Sequence, residues 1–514
     1  MDVILDNLLV ITIFFPLVAA GVLFIMPDDA KLTIKRVALV FSLVPLITVL
    51  LMWFNYDRID AGIQYEVVLE WFPIINSSFH LGVDGISLSM LLLTAILTPL
   101  AILASFEIED NVRTYMSLFM LMAMAMFGLF AALDLVVFFI FWEFSLVPMY
   151  FIIKMWGGQD REYASFKFFI YTMAGSLGLL LAIQVIGWSM GSFDIPELMQ
   201  TFVNLPAGTR MPVTGLSVDT VKTLGYWAFL IAFAIKVPIW PFHTWLPDAH
   251  TQAPTAGSMI LAGVLLKMGA YGFLRLVIPL FPEQAMLTAG ILATLGMLSI
   301  VLGAYAAFAQ WDFKRLVAYS SVNHMGFVVL GIAVAAFAYG LQGRSDSLTL
   351  DAIIATNGAV MQMFNHGLSA AGMFFLVGVI YGRTHTRDLS KYGGIWTVLP
   401  VFGMILIFTS MASLGLPGLN GFVGEFMVVR GAWNVFTIQL IISMLGLLMT
   451  GAYILKGIGQ TLHGPLKPEW AGLKEMTFRE HLVIWPLMIL ILTLGVWPQW
   501  LLAVINDTVT RIFG

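Results

Sequence analysis

The sequence contains no cysteine. Thiolate-ligated iron–sulfur clusters, disulfides and thiol catalysis are therefore excluded together. Charge is also scarce: only 11% of the 514 residues are Asp, Glu, Lys or Arg, too few to cover the surface of a water-soluble globule. No basic tract interrupts the net charge of −5, which excludes nucleic acid as a partner. A nucleotide-binding glycine loop, a metal-ligand cluster and a nucleophile triad are all missing, so the chain alone is not expected to make or break covalent bonds.

What the sequence has in abundance is hydrocarbon. Hydrophobic residues make up 60% of it, and the mean hydropathy is +0.92. The apolar residues come in long blocks instead of alternating, which points to an all-α polytopic membrane protein and not to a β-barrel. Runs of roughly twenty residues bounded by charge or turn signals predict fourteen transmembrane helices. They lie near 3–26, 34–54, 85–106, 115–132, 135–155, 165–189, 223–246, 254–276, 285–308, 315–340, 351–381, 397–432, 435–456 and 481–505. The first lacks a positive leader and a small-residue cleavage site, so a retained helix is expected. Gln64–Val83 alternates in polarity and reads as a short surface hairpin.

With the N-terminus outside, sixteen Lys and Arg fall in inner connections and seven in outer ones. The positive-inside bias then turns both termini away from the cytoplasm. Lys236 and Lys267 belong to neither set, and of the acidic residues only Glu143 and Glu425 fall clearly inside spans. Ionisable groups at membrane depth mark ion or proton paths unless a static pair accounts for them.

Two of the spans are interrupted. Ala234–Pro254 carries Lys236 and then prolines at 238, 241, 247 and 254, and a proline in a helix interior removes a hydrogen bond and clashes with the preceding turn. The competing reading is a kinked helix whose lysine snorkels to the interface. Residues 397–432 would make a straight helix of about 54 Å against a core of about 30 Å, and they contain L-G-L-P-G-L-N-G (414–421), which is breaker chemistry. The seventh and twelfth spans are thus discontinuous and five spans apart, so they cross in opposite directions. An inverted repeat with paired broken helices produces that arrangement; chance placement of two breaks is the alternative.

Glu143 lies some eight residues into the fifth span, roughly 12 Å deep. It forms either a static helix–helix ion pair or part of a proton path. Lys267, in L-L-K-M-G-A-Y-G of the eighth span, is either a counter-ion to Glu143 or a buried amine whose proton occupancy follows the approach of a carboxylate. His324 in the tenth span and His366 in the eleventh suit a proton relay, although a single histidine on an apolar helix also serves as a packing residue. No paired-histidine spacing argues for haem. His243 and His250, toward the inner end of the seventh span, are secondary candidates.

Four segments carry a resemblance. W-E-F-S-L-V-P-M-Y (142–150), K-V-P-I-W-P-F-H-T-W-L-P-D-A-H (236–250), K-R-L-V-A-Y-S-S-V-N-H-M-G (314–326) and L-P-G-L-N-G-F-V-G-E-F (416–426) together resemble the antiporter-like membrane subunits of respiratory complex I, NADH:quinone oxidoreductase. The similarity runs from about residue 80 to 460. It implies fourteen helices with two inverted five-helix repeats, dividing the chain into 1–110, 111–280, 281–460 and 461–514. By motif, Glu143 resembles the modulating glutamate, Lys236 the central proton-carrying lysine, Lys267 and His324 the bridging relay, and Glu425 the charged residue of the exit half-channel. His366 fits the pattern only loosely. A glutamate on the broken twelfth helix is typical of the chain M branch (mitochondrial chain 4), and the length also suits it, without the long lateral C-terminal helix of chain L.

The resemblance implies a proton-translocating membrane-arm subunit in a bacterial inner membrane, with antiporter-like subunits flanking it on both sides. The chain would bind no cofactor itself; FMN, iron–sulfur clusters and quinone would belong to partner subunits. Two other readings stay open: the D subunit of a multisubunit sodium/proton antiporter, and a structural spacer in a large membrane complex.

Overall fold

A computed structural model describes residues 7–60, 62–341 and 346–513. The expected start of the first span at residue 3, and Arg344 among the outer cations, lie outside them. The chain is a bundle of helices, of which thirteen among the described residues are long and apolar enough to cross a membrane. They coincide with thirteen of the fourteen expected spans. The remaining one, the twelfth, is split into Pro400–Leu414 and Asn420–Ala432. The expected hairpin is present, with β1 (Gln64–Phe72) antiparallel to β2 (Ser77–Val83) and Val68 opposite His80.

Burial separates an inner from an outer layer of helices. The eighth, tenth and eleventh spans (Thr255–Leu280, Phe313–Tyr339 and Ser347–Thr384) are each 94% buried over their most apolar stretch, against 33% for Arg161–Met190 and Thr437–Leu462. A helix that is apolar all round belongs in the interior. These three carry Lys267, His324 and His366.

The seventh span runs as a helix over Val218–Lys236, breaks, and resumes at Trp245–Gln252. The polar groups freed by the break are satisfied within the protein, as hydrocarbon demands. The Trp245 indole donates to the Ile235 carbonyl (2.9 Å), and the Trp240 amide donates to Ser299 Oγ (2.9 Å). In the twelfth span Gly415 and Gly418 take φ of +81° and +92°, a left-handed backbone that glycine adopts without steric cost. There Asn365 Nδ2 donates to the Asn420 carbonyl (2.7 Å) and Asn420 Nδ2 returns a bond to the Asn365 carbonyl (3.1 Å), tying the break to the eleventh span beside His366.

Two backbone bridges occur in matching register. Asp134, which caps the fifth span, pairs with Asp194, and Asp312, which caps the tenth, pairs with Asp388. In each the amide after the first Asp donates to the carbonyl before the second, and the reverse, at 2.8–2.9 Å.

The last span ends earlier than expected. Its helix covers Phe478–Val496, and Gln499–Phe513 forms a separate helix. Pro498 stops the first, since the residue before a proline is pushed out of helical geometry; Trp497 has φ −137° and ψ 73°.

Candidate functional site

Six of the candidate residues fall into two groups. In the first, Lys236 closes the first half of the seventh span and is buried. Its Nζ sits 5.0 Å over the Trp142 ring and donates to Ser145 Oγ at 3.3 Å. Both partners come from the kink of the fifth span, where Leu135–Phe144 gives way to Leu146–Trp156. Glu143 lies within electrostatic reach of Lys236, yet the two make no ion pair within 4.0 Å among the described residues. The Glu143 side chain is half-buried, and its Oε1 is enclosed without a hydrogen-bond partner. The two groups lie near each other without touching.

The second group is a line of polar side chains through the interior, hydrogen-bonded in two segments that meet at a contact between the His366 and His324 rings. Lys267 Nζ is 2.7 Å from His366 Nδ1, and His366 Nε2 is 3.1 Å from Ser321 Oγ. The His366 and His324 rings are 5.7 Å apart by centroid. His324 Nδ1 is 2.9 Å from Glu425 Oε1, which also accepts from Gln362 Nε2 at 2.9 Å. Tyr453 Oη approaches His324 Nε2 at 3.2 Å. A cavity of about 20 Å³, enough for a single water, is bounded by Ser320, Ser410 and Tyr453. Lys267, His324, His366 and Glu425 are all at most 5% exposed.

Lys267 is not the counter-ion of Glu143, since its polar contacts are His366 and the Ala262 carbonyl. His366, which fits the family pattern only loosely, is the link between Lys267 and the tenth span. The helix carrying Lys267 is itself irregular: Leu261–Leu265 and Phe273–Val277 are π-helical on either side of Leu266–Gly272. Single π turns inside α-helices gather at functional sites.

His250 is fully buried and stacks on Phe374 at 4.5 Å with rings 6° from parallel. Both its nitrogens lack hydrogen-bond partners, and it lies within electrostatic reach of Lys267 and Lys314. His243 packs edge-on to Tyr319 at 6.1 Å. Lys314, assigned from the sequence to a solvated connection, is instead 6% exposed and donates to the Ala253 carbonyl. It lines an open cavity of about 650 Å³ at the mouth of the bundle, along with Asp312, Arg387 and Gln252. Its burial follows from the Asp312 cap, which puts position 314 on the first turn of an interior helix. Arg275 and Asp84 also leave the solvated set: they pair at 2.9 Å with side chains 15% and 6% exposed.

Comparison with known proteins places the chain in a family. The family described as NADH:quinone oxidoreductase/Mrp antiporter, TM, matches residues 132–450. A protein named NADH-quinone oxidoreductase subunit M from Rhodobacter capsulatus is 40% identical over 516 residues, covering 99% of this chain and 96% of its own length. NADH-ubiquinone oxidoreductase chain 4 from Marchantia polymorpha is 33% identical over 503 residues, covering 97% and 96%. A chain of respiratory complex I from Thermus thermophilus superposes with a TM-score of 0.85 at 26% identity, covering 98% of this chain and all of that one. A chain of the Mrp complex from Dietzia sp. superposes at 0.81 with 19% identity over 99% of this chain and 97% of that one, a likeness of fold alone. The chain therefore belongs to the NADH:quinone oxidoreductase/Mrp antiporter transmembrane family, on the branch that holds subunit M of the bacterial enzymes and chain 4 of the mitochondrial one.

Proposed function

We propose that this chain translocates protons in the membrane arm of an NADH:quinone oxidoreductase of a bacterial inner membrane. The observation that carries the reading is the buried line Lys267–His366–His324–Glu425, in which each group can take and release a proton. Lys236 acts as the proton carrier of the first half-channel, and Glu143 sets how firmly it holds its proton. Lys267 and the two histidines pass the proton on, and Glu425 delivers it toward the outer face. Raising one charge against about 150 mV takes roughly 3.5 kcal/mol, so a modest change in the Glu143–Lys236 separation at low local dielectric is of sufficient size.

The two halves correspond to residues 111–280 and 281–460, with 1–110 and 461–514 flanking them. The matched Asp134–Asp194 and Asp312–Asp388 bridges support that division: they cap spans five apart, as an inverted repeat requires. With no cysteine to hold a cluster, electron transfer by FMN and iron–sulfur groups to quinone falls to partner subunits, and antiporter-like neighbours flank this chain.

The test is made in the assembled complex. Lys236→Ala and Glu143→Gln should each lower quinone reductase activity and proton pumping together, and normal coupled activity in both variants would sink the mechanism. The family also contains Mrp antiporters; copurifying flavin and iron–sulfur absorbance distinguishes an oxidoreductase from an antiporter without redox partners. A purely structural spacer would pump normally with Lys236, Lys267, Glu143 and Glu425 all neutralised.

A further inference from the structure

Lys267 has two polar directions open to it. Sideways it meets His366. Along its own helix, toward the outer end of the span, the next polar side chains are Tyr271 and Arg275, at successive intervals of four residues. Tyr271 Oη donates to the Phe130 carbonyl (2.9 Å), lies 2.8 Å from Ser87 Oγ and accepts from Arg275 Nε (3.2 Å). Arg275 Nη2 donates to the same Ser87 Oγ (3.3 Å), and Nη1 is 2.9 Å from Asp84 Oδ2. Asp84 in turn caps the third span through the Ser87 amide (2.9 Å), directly after the surface hairpin. Two hydroxyls thus lead from one turn beyond Lys267 to the Arg275–Asp84 pair toward the end of the span.

Resting on Lys267 as a relay group, we infer that Arg275, held by Asp84, Tyr271 and Ser87, is a charge barrier that closes this direct route. The lateral path to His366 then becomes the only productive one. Three features make this route a poor conductor. The Tyr271 proton is committed to a backbone carbonyl, which cannot pass it on. A guanidinium has five donors, no acceptor and no accessible neutral form, so it cannot relay a proton. Its fixed positive charge repels any proton arriving from either side, as in pores where an arginine excludes cations. Asp84 holds the cation at depth and offsets its burial. Without the barrier, protons brought to Lys267 would equilibrate with the outer face before reaching His324 and Glu425.

The experiment uses the assembled complex in sealed inverted membranes. Arg275→Gln keeps an amide donor where Arg275 Nε meets Tyr271 and removes the charge. A unit charge felt across roughly 10 Å of protein interior changes the population of a protonated state about tenfold, so passive proton conductance should rise about tenfold. Quinone reductase activity should persist while the NADH-driven pH gradient collapses. Arg275→Lys, which restores a cation, should be tight. A complex carrying Arg275→Gln with a normal gradient and normal leak overturns the inference. If that variant does not assemble, Asp84→Asn is added to it so that no buried carboxylate is left without its cation: a leaky membrane agrees with a barrier made by the Arg275 charge, and a tight one refutes it. Adding Lys267→Ala to Arg275→Gln should abolish the leak. A leak that survives refutes the route through Lys267, whereas failure of the pumping mechanism itself would show separately as normal coupling in Lys236→Ala.

Discussion

His366 offers the sharpest test of the interior line, because it is where relay and packing predict opposite results. Its Nδ1 lies 2.7 Å from Lys267 Nζ, whose one other hydrogen-bond partner among the described residues is the Ala262 carbonyl. Lys267 is 0% exposed, so solvent cannot replace a lost partner. A hydrogen bond to a charged group is worth about 1.5–3 kcal/mol. Replacing His366 by Leu should therefore reduce the protonated population of Lys267 by about 10- to 100-fold, at about 1.36 kcal/mol per tenfold. His366→Gln separates the two explanations. The glutamine carbonyl can accept from Lys267 and its amide can reach Ser321, so position and packing survive, but an amide does not carry a proton. If His366 relays, both variants lose NADH-driven proton uptake, measured by fluorescence quenching in inverted membranes against quinone reductase rate. Wild-type pumping in His366→Gln would refute the relay and leave His366 a packing residue.

Glu425→Gln should impair pumping, because it removes the carboxylate that meets His324 at 2.9 Å; Glu425→Asp should retain part of it, and equal rates for the two would contradict the role. Beside the hairpin, His80 is held between Asp194 and Glu66, the latter at 2.7 Å. Burial alone would lower the imidazole's affinity for a proton, but the hydrogen bonds to Asp194 and Glu66 outweigh it and raise the pKa above the ordinary value. A raised pKa in the folded state stabilises fully below about 6.5 and is lost as pH climbs through the shifted value. Protease sensitivity of the hairpin should accordingly increase with pH above that range, and His80→Ala should flatten the profile. Gly85→Ala would set a Cβ 2.0 Å from the Val504 carbonyl oxygen. Overpacking of that kind costs about 1–3 kcal/mol, so the final helix should show faster hydrogen exchange in the variant.

Much of this was legible because hydrocarbon is an unforgiving solvent. Charges inside apolar runs, and proline or glycine clusters that no straight helix tolerates, single out Lys236, Lys267, Glu425 and both broken spans. The hairpin announces itself by alternation. Other features depend on packing that a sequence does not encode locally. His366 looks like any histidine on an apolar helix until the eighth span is set beside it. Lys314 and Arg275 sit at or near span ends, where snorkelling to water is the ordinary outcome; only the surrounding helices make them interior. The final helix is hidden because the apolar run continues across Pro498 with no change in composition.

The two π turns around Lys267 have a consequence for how this helix tolerates insertions and deletions. A π turn is an α-helix that has absorbed one extra residue, and each residue of an α-helix turns the chain by about 100°. Deleting one residue from Leu261–Leu265 would leave a span of nearly the same length, equally apolar and equally able to cross the bilayer. Because the lost residue is the one the π turn had absorbed, the turn would close into regular helix and Lys267, Tyr271 and Arg275 would keep their facing toward His366 and Asp84. A single deletion in the regular helix just ahead of it, Thr255–Ile260, would instead turn all three groups by about 100°, so the π turn marks the place where this span can lose a residue without misdirecting them.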